Sequence, residues 1–190
     1  VAVLRYLSHP QVAIDPAVPV PDWGLSETGR ARVAAAAARG WPAGTARILA
    51  SAERKAQETA AILAAALGLP VETCPEMGEI DRSATGYVPH DRHEELADLC
   101  FAAPEASAAG WERAVDAQAR IVAAAAPLLA SEGDVLLVGH GGVGTLLWCH
   151  LAGRPIARAE DQGPGGGQVW TAALPGGAPR QPWHPMEAAT

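Results

Sequence analysis

Asp134-Val135-Leu136-Leu137-Val138-Gly139-His140-Gly141-Gly142-Val143-Gly144 is the stretch on which the fold turns. Val135 to Val138 are apolar without alternation, so the segment predicts a strand covered on both faces, a property of parallel sheets packed between helices. The run stops at a glycine-rich turn, Gly139 to Gly144, and a helix is expected to begin at Thr145 and run to Leu151. Strand, glycine turn and helix together are half of a parallel crossover unit.

Outward from this unit the same alternation repeats. Val3 to Leu7 reads as a short strand, followed by a proline-rich loop through Pro16, Pro19 and Pro21. Ser26 is placed to cap a helix that has Glu27 in its first turn and runs through alanines to Arg39. Arg47 to Ala50 is a second strand. Glu53 to Leu67 has helical periodicity and stops at Gly68, with Pro70 beyond. Leu69 to Thr73 fits a third strand, Trp111 to Leu129 a long helix that Pro127 ends or bends, and Gln168 to Leu174 a last strand. Residues 75–110 are broken by Pro75, Gly78, Gly86, Pro89, Pro104 and Gly110, with some helix expected around Asp91 to Phe101; they read as a lid or insertion. The tail from Pro175 reads as loosely ordered. The expectation is one α/β domain over 1–190, a three-layer α/β/α sandwich on a mainly parallel sheet.

In such sheets ligands gather at the carboxyl ends of strands. The first strand ends in Ser8-His9-Pro10-Gln11, the second in Ser51-Ala52-Glu53-Arg54-Lys55, and the Val135–Val138 strand in Gly139-His140-Gly141-Gly142. Neighbouring parallel strands would deliver two imidazoles and one or two cations to one rim. The net charge of −7, with no basic run, argues against nucleic acid or an anionic membrane as the main partner but allows a local cationic cluster for a small anion. Cys74, Cys100 and Cys149 are too few and too scattered for a disulfide framework, and no zinc-type pair occurs. A reducing, cytoplasmic setting is the expectation, and the first residues do not resemble a signal peptide.

The ordered set of motifs resembles the histidine phosphatase (phosphoglycerate mutase-like) superfamily. His9 after the first strand resembles the histidine of its Arg-His-Gly motif, and Trp23 to Arg30 its Leu-Thr-x-x-Gly helix start. Ser51 to Ala60 is similar to its Ser-Pro-x-x-Arg-Ala-x-x-Thr-Ala segment, Glu79-Ile80-Asp81 to its acidic stretch, and Val138 to Gly142 to its second-histidine motif. The resemblance implies phosphate-ester hydrolysis with His9 as nucleophile, His140 beside the phosphoryl oxygens, and Glu79 as general acid and then base. Lys55, Arg54, Ser8, Arg82 and Gly141 would surround the phosphate, and the scheme asks for no metal or cofactor. The partner is then a small phosphorylated substrate or phosphate itself.

Three positions depart from the family pattern. Ser8 stands for the arginine before the nucleophile, Pro10 for the following glycine, and Lys55, the one lysine beside 13 arginines, for the second arginine. Glu79-Ile80-Asp81-Arg82 is similar to a variant form of the acidic stretch, in which Arg82 supplies part of the missing charge. A rival reading keeps the fold and the phosphate but not the catalysis. Another takes Gly139 to Gly144 as a GxGxxG dinucleotide fingerprint, but too little chain follows it to build the rest of a nucleotide-binding half. His90 and His93 read as surface histidines, and Trp111 and Trp148 as core.

Overall fold

A computed structural model describes residues 1–190. Six strands form one sheet in the order β3-β2-β4-β1-β5-β6. They are β1 (Ala2–Ser8), β2 (Thr45–Ala50), β3 (Val71–Thr73), β4 (Asp134–Gly139), β5 (Gln168–Leu174) and β6 (Ala178–Pro185). β3, β2, β4 and β1 are parallel, whereas β5 runs antiparallel to β1 and β6 antiparallel to β5. The sheet is therefore mixed, with a parallel half that carries the strand ends singled out above.

β4 lies between β1 and β2, and none of Val135 to Val138 is exposed by more than 1%. Successive side chains point to opposite faces. Val135 and Leu137 join one core with Tyr6, Ile121, Leu146 and Trp170; Leu136 and Val138 join the other with Val33, Ile48 and Leu63. Helices cover both faces: α1 (Glu27–Ala38) and α2 (Arg54–Leu67) on the second core, α4 (Ala114–Ala125) and α5 (Gly141–Leu151) on the first. α3 (His90–Ala102) adds Leu96, Cys100 and Phe101 to the first core from within the 75–110 segment.

Local signals explain the ends of these elements. Ser26 caps α1 by accepting the N–H of Gly29 at 3.1 Å. Gly68 closes α2 in the left-handed conformation (φ 67°), which costs a residue without a Cβ little. α4 is shorter than its periodicity suggested: Trp111 lies before it, and the chain passes into a 3-10 turn at Ala126–Ala130, where Pro127 has no N–H to continue the ladder.

Two expectations are corrected. α5 starts at Gly141, not at Thr145, so the glycines form its first turn instead of a preceding loop. They are needed because the turn is crowded: a Cβ on Gly144 would enter the buried Tyr6 ring, and one on Gly142 would come 2.5 Å from Glu79 Oε1. The tail is not loose either. Ala178–Pro185 pairs with β5 after a turn at Gly176 and Gly177, both at positive φ. Its prolines suit an edge strand, where a missing N–H can face solvent.

Candidate active site

Register brings the site together. Ser8 on β1 pairs with Gly139 on β4, so the next residues, His9 and His140, leave the sheet side by side. On the other flank Ala50 of β2 pairs with Val138, which sets Ser51 beside them. The two imidazole rings lie 5.3 Å apart between centroids and 69° from parallel.

His9 lines a cleft of about 480 Å³ together with Glu79, Arg82, Gly141, Gly142, Asp161 and Gln162. Its Nδ1 lies 2.8 Å from the carbonyl oxygen of Pro10. A carbonyl only accepts, so Nδ1 carries the proton and Nε2 keeps its lone pair. Burial, together with the neighbouring His140, lowers the His9 pKa to about 3. The ring is neutral at neutral pH, with an unprotonated Nε2. The acceptor is main chain, so Pro10 fixes the tautomer with a carbonyl that a glycine at this position would also carry.

His140 is fully buried. Its Nε2 is 2.7 Å from Ser51 Oγ and 3.2 Å from Glu53 Oε2. Its Nδ1 has no hydrogen-bond partner, a rare state for a buried polar atom. Burial holds His140 below the ordinary imidazole pKa, against the pull of the Glu53 and Glu79 carboxylates.

Glu79 faces the start of α5. Its carboxylate accepts the N–H groups of Gly142 at 3.0 Å and Val143 at 2.9 Å, as well as that of Ile80 at 2.9 Å. The Gly142 and Val143 N–H groups are helix-start donors that no preceding turn can satisfy. Burial opposes its charge, yet His140, Arg82 and these backbone donors outweigh it and hold the carboxyl below its ordinary pKa. Arg120 fixes the loop from behind through the carbonyls of Glu76, Gly78 and Glu79.

The remaining candidates divide. Lys55 is 2% exposed; its Nζ donates to the Val20 carbonyl at 2.7 Å, pairs with Glu53 at 3.1 Å and lies 5.9 Å from the centre of the Trp23 ring. Arg82 reaches the cleft, contacts His93 and lies over Trp111. Gly141 lines the cleft floor at the head of α5. Arg54 is turned away: it pairs with Glu58 on the outer face of α2, with 64% of its side chain exposed. Adjacent helical residues point about 100° apart, so one helix start cannot aim both Arg54 and Lys55 inward. Ser8 is fully buried and does not line the cleft; its hydroxyl donates to Gln162 Oε1 and accepts the Gln168 N–H at 3.1 Å.

Sequence reading missed three residues. Glu53 is the node of the site, accepting the Glu79 N–H at 2.8 Å while facing His140 and Lys55. Burial opposes its charge, but those neighbours bring its pKa down to about 2. Gln162 has its amide orientation set by the Ser8 hydroxyl, which leaves its NH2 over Gly141 in the cleft. Asp161 accepts from Thr145 Oγ1 and the Gln162 N–H, and burial pushes its pKa up. His93 is also no mere surface histidine: it lines the cleft beside Arg82, although no group of three or more side chains that could hold a metal ion forms.

A three-layer sandwich with two facing imidazoles at the carboxyl ends of β1 and β4 is the architecture of histidine phosphatases. The chain belongs to the histidine phosphatase superfamily (branch 1), whose sequence profile matches residues 16–169. The matched stretch holds Lys55, Glu79 and His140 but begins after His9, so the placement of His9 rests on the β1–β4 register.

Among solved structures, the chain is similar to a mycobacterial glucosyl-3-phosphoglycerate phosphatase in complex with VO3, at 26% identity over 91% of each chain with a TM-score of 0.74. It is similar to the protein called mycobacterial hydrolase 1 at 26% identity over 90% of this chain and 92% of that one, with a TM-score of 0.75. YhfR of Bacillus stearothermophilus shares the fold at 22% identity over 95% of each chain, TM-score 0.75. No protein of curated function matches significantly. Membership of this superfamily sets aside the dinucleotide reading, and the glycine run is explained by packing against Tyr6 and Glu79. No helix is long and apolar enough to cross a membrane.

Proposed function

We propose that the protein hydrolyses a small phosphate monoester through a phosphohistidine on His9. The observation that carries this reading is the His9 ring itself: neutral, with its tautomer fixed by Pro10, and with its Nε2 lone pair free beside the buried His140. Nε2 attacks phosphorus, the N–P bond forms, and the P–O bond to the organic group breaks. As the anion binds, the free Nδ1 of His140 takes a proton from solvent and holds it in a hydrogen bond to a phosphoryl oxygen, with Glu53 as counter-ion to the imidazolium. Arg82 and the Gln162 amide supply donors in place of the motif arginine that Ser8 replaces, and Lys55 adds positive charge.

Two of the carboxyls lining the cleft are driven in opposite directions, a pattern that separates acid from base. Asp161, raised by burial against the pull of Arg158, is assigned the proton of the leaving oxygen; Glu79, lowered by His140 and Arg82, is assigned the proton of the water that attacks the phosphohistidine. This divides between two residues the pair of roles that the family resemblance gave to Glu79 alone. The similarity to a phosphatase seen with VO3 supports the phosphoryl chemistry.

The test is turnover of p-nitrophenyl phosphate by the wild type and by His9→Ala. We expect turnover that EDTA does not abolish and that His9→Ala does. Equal rates in the two proteins would remove His9 as nucleophile. Binding of vanadate without turnover in the wild type would establish the alternative, a phosphate-binding protein that has lost catalysis.

A further inference from the structure

His9 also lines a second cavity, of about 310 Å³, whose wall includes neither Gln162 nor Gly141. His9, Arg82, His90, His93 and Trp111 are common to both cavities, so the two meet at the nucleophile. Their chemistry differs. The first is lined by Glu79, Glu94 and Asp161. The second has no carboxylate in its wall, although the chain as a whole is acidic; its only full charges are Lys55 and Arg82. Beyond the shared His9, His90, His93 and Trp111, the rest is Val12, Ile14, Val20, Trp23, Tyr87 and Val88, with Gly86.

Two of the four large apolar side chains that stay exposed, Ile14 at 60% and Tyr87 at 41%, stand on this wall. The wall is also braced. Trp23 Nε1 donates to the carbonyls of Asp15 and Val18 at 2.9 and 3.0 Å, and the Tyr87 ring lies 5.5 Å from that of Trp23. A preformed aromatic wall binds without an ordering cost.

On the reading of the site given above, we propose that this groove receives the organic half of the substrate and that this half is apolar, with a flat ring against Trp23 and Tyr87. In-line attack requires the leaving group to depart on the side of phosphorus opposite His9 Nε2. A phosphoryl group at the seam of the two cavities has the polar cleft around its oxygens and the apolar groove open to its ester substituent. A sugar or glycerol moiety would set hydroxyls against Val12, Ile14, Val20 and Trp23, which offer them no partner, at a cost. A cationic moiety would meet Lys55 and Arg82.

The experiment compares equilibrium binding of benzylphosphonate and methylphosphonate by calorimetry, so its outcome does not depend on turnover. Burying a phenyl ring predicts about tenfold or tighter binding of benzylphosphonate. That ratio should fall towards one in Tyr87→Ala and in Ile14→Ser, both exposed positions whose change leaves the core intact. Equal affinities in the wild type would overturn the groove assignment while leaving the phosphatase reading in place. Preference for benzylphosphonate without hydrolysis of benzyl phosphate would do the reverse. Failure of both phosphonates to bind would overturn both.

Discussion

The Glu53 carboxylate joins the two ends of the site: one oxygen lies 3.2 Å from His140 Nε2, the other 3.1 Å from Lys55 Nζ. Glu53→Gln keeps the shape and removes the charge that supports a protonated His140. We expect kcat for p-nitrophenyl phosphate to fall about 10–100-fold, the worth of a charge-assisted hydrogen bond. Stability should respond to pH as well. The Glu53 pKa is lowered from 4.5 to about 2, so its contribution is full above 4.5 and disappears as pH falls towards 2. Urea midpoints of wild type and Glu53→Gln should differ at neutral pH and converge in acid.

His9 titrates in the same acid range for another reason. Its pKa falls from 6.5 to about 3 on folding, so the unfolded chain takes up the proton first. The stability linked to this residue is full above pH 6.5 and is lost as pH falls towards 3. In His9→Asn that dependence vanishes, and its urea midpoint should gain on the wild type steadily below pH 6.5. For the same reason, protonation of His9 should place no limb in the kcat/KM profile between about pH 4 and pH 6.5. A gap between the two midpoints that is constant with pH would contradict the assignment.

Asp161 and Glu79 can be separated by leaving group. An alkyl leaving group needs a proton as it departs, whereas p-nitrophenolate does not. Asp161→Asn should slow ethyl phosphate hydrolysis about 10²–10⁴-fold while p-nitrophenyl phosphate loses far less. Glu79→Gln should slow both, because it impairs the water step common to all substrates. It should also cost about 1–3 kcal/mol of stability, since an amide oxygen cannot accept from Gly142, Val143 and Ile80 as the carboxylate does. Equal losses on both substrates in Asp161→Asn would remove it as proton donor.

Gln162 should behave as an anion donor and Ser8 as its support. Gln162→Glu places a negative charge over Gly141 and should weaken vanadate inhibition at least about tenfold. Gln162→Ala should weaken it less. Ser8→Ala leaves the Gln168 N–H and the Gln162 carbonyl without a partner in a buried position, so a loss of about 1–3 kcal/mol in denaturant unfolding is expected alongside weaker vanadate binding.

Gly144 tests the packing account of the glycine run. A methyl group there meets the Tyr6 ring, which has no exposed surface and cannot yield. Gly144→Ala should destabilise the protein by about 1–3 kcal/mol, read from urea unfolding, with any loss of activity following that of folded protein. Wild-type stability in this variant would mean that the glycine run serves a ligand and not the core.

The sequence by itself determined the layered architecture and the core of the site. An unbroken apolar run such as Val135–Val138 is tolerable only between two helical layers, and histidines directly after two such strands must leave the sheet at the same edge once the strands are parallel neighbours. That is local patterning plus topology, and it brought His9, His140 and Lys55 into view; Glu79 and Arg82 came from the family resemblance. The phase of α2 decided between Lys55 and Arg54, and phase cannot be read to a single residue from a motif with both side by side. Only the tertiary structure revealed Gln162, 154 residues from the Ser8 that holds it, within a glycine-rich stretch without periodicity. It alone also showed Glu53 as the hub and the tail strand β6, whose pairing depends on a partner edge instead of on its own composition. Short-range chemistry writes a pattern into adjacent residues; contacts between distant segments leave none until the chain has closed on itself.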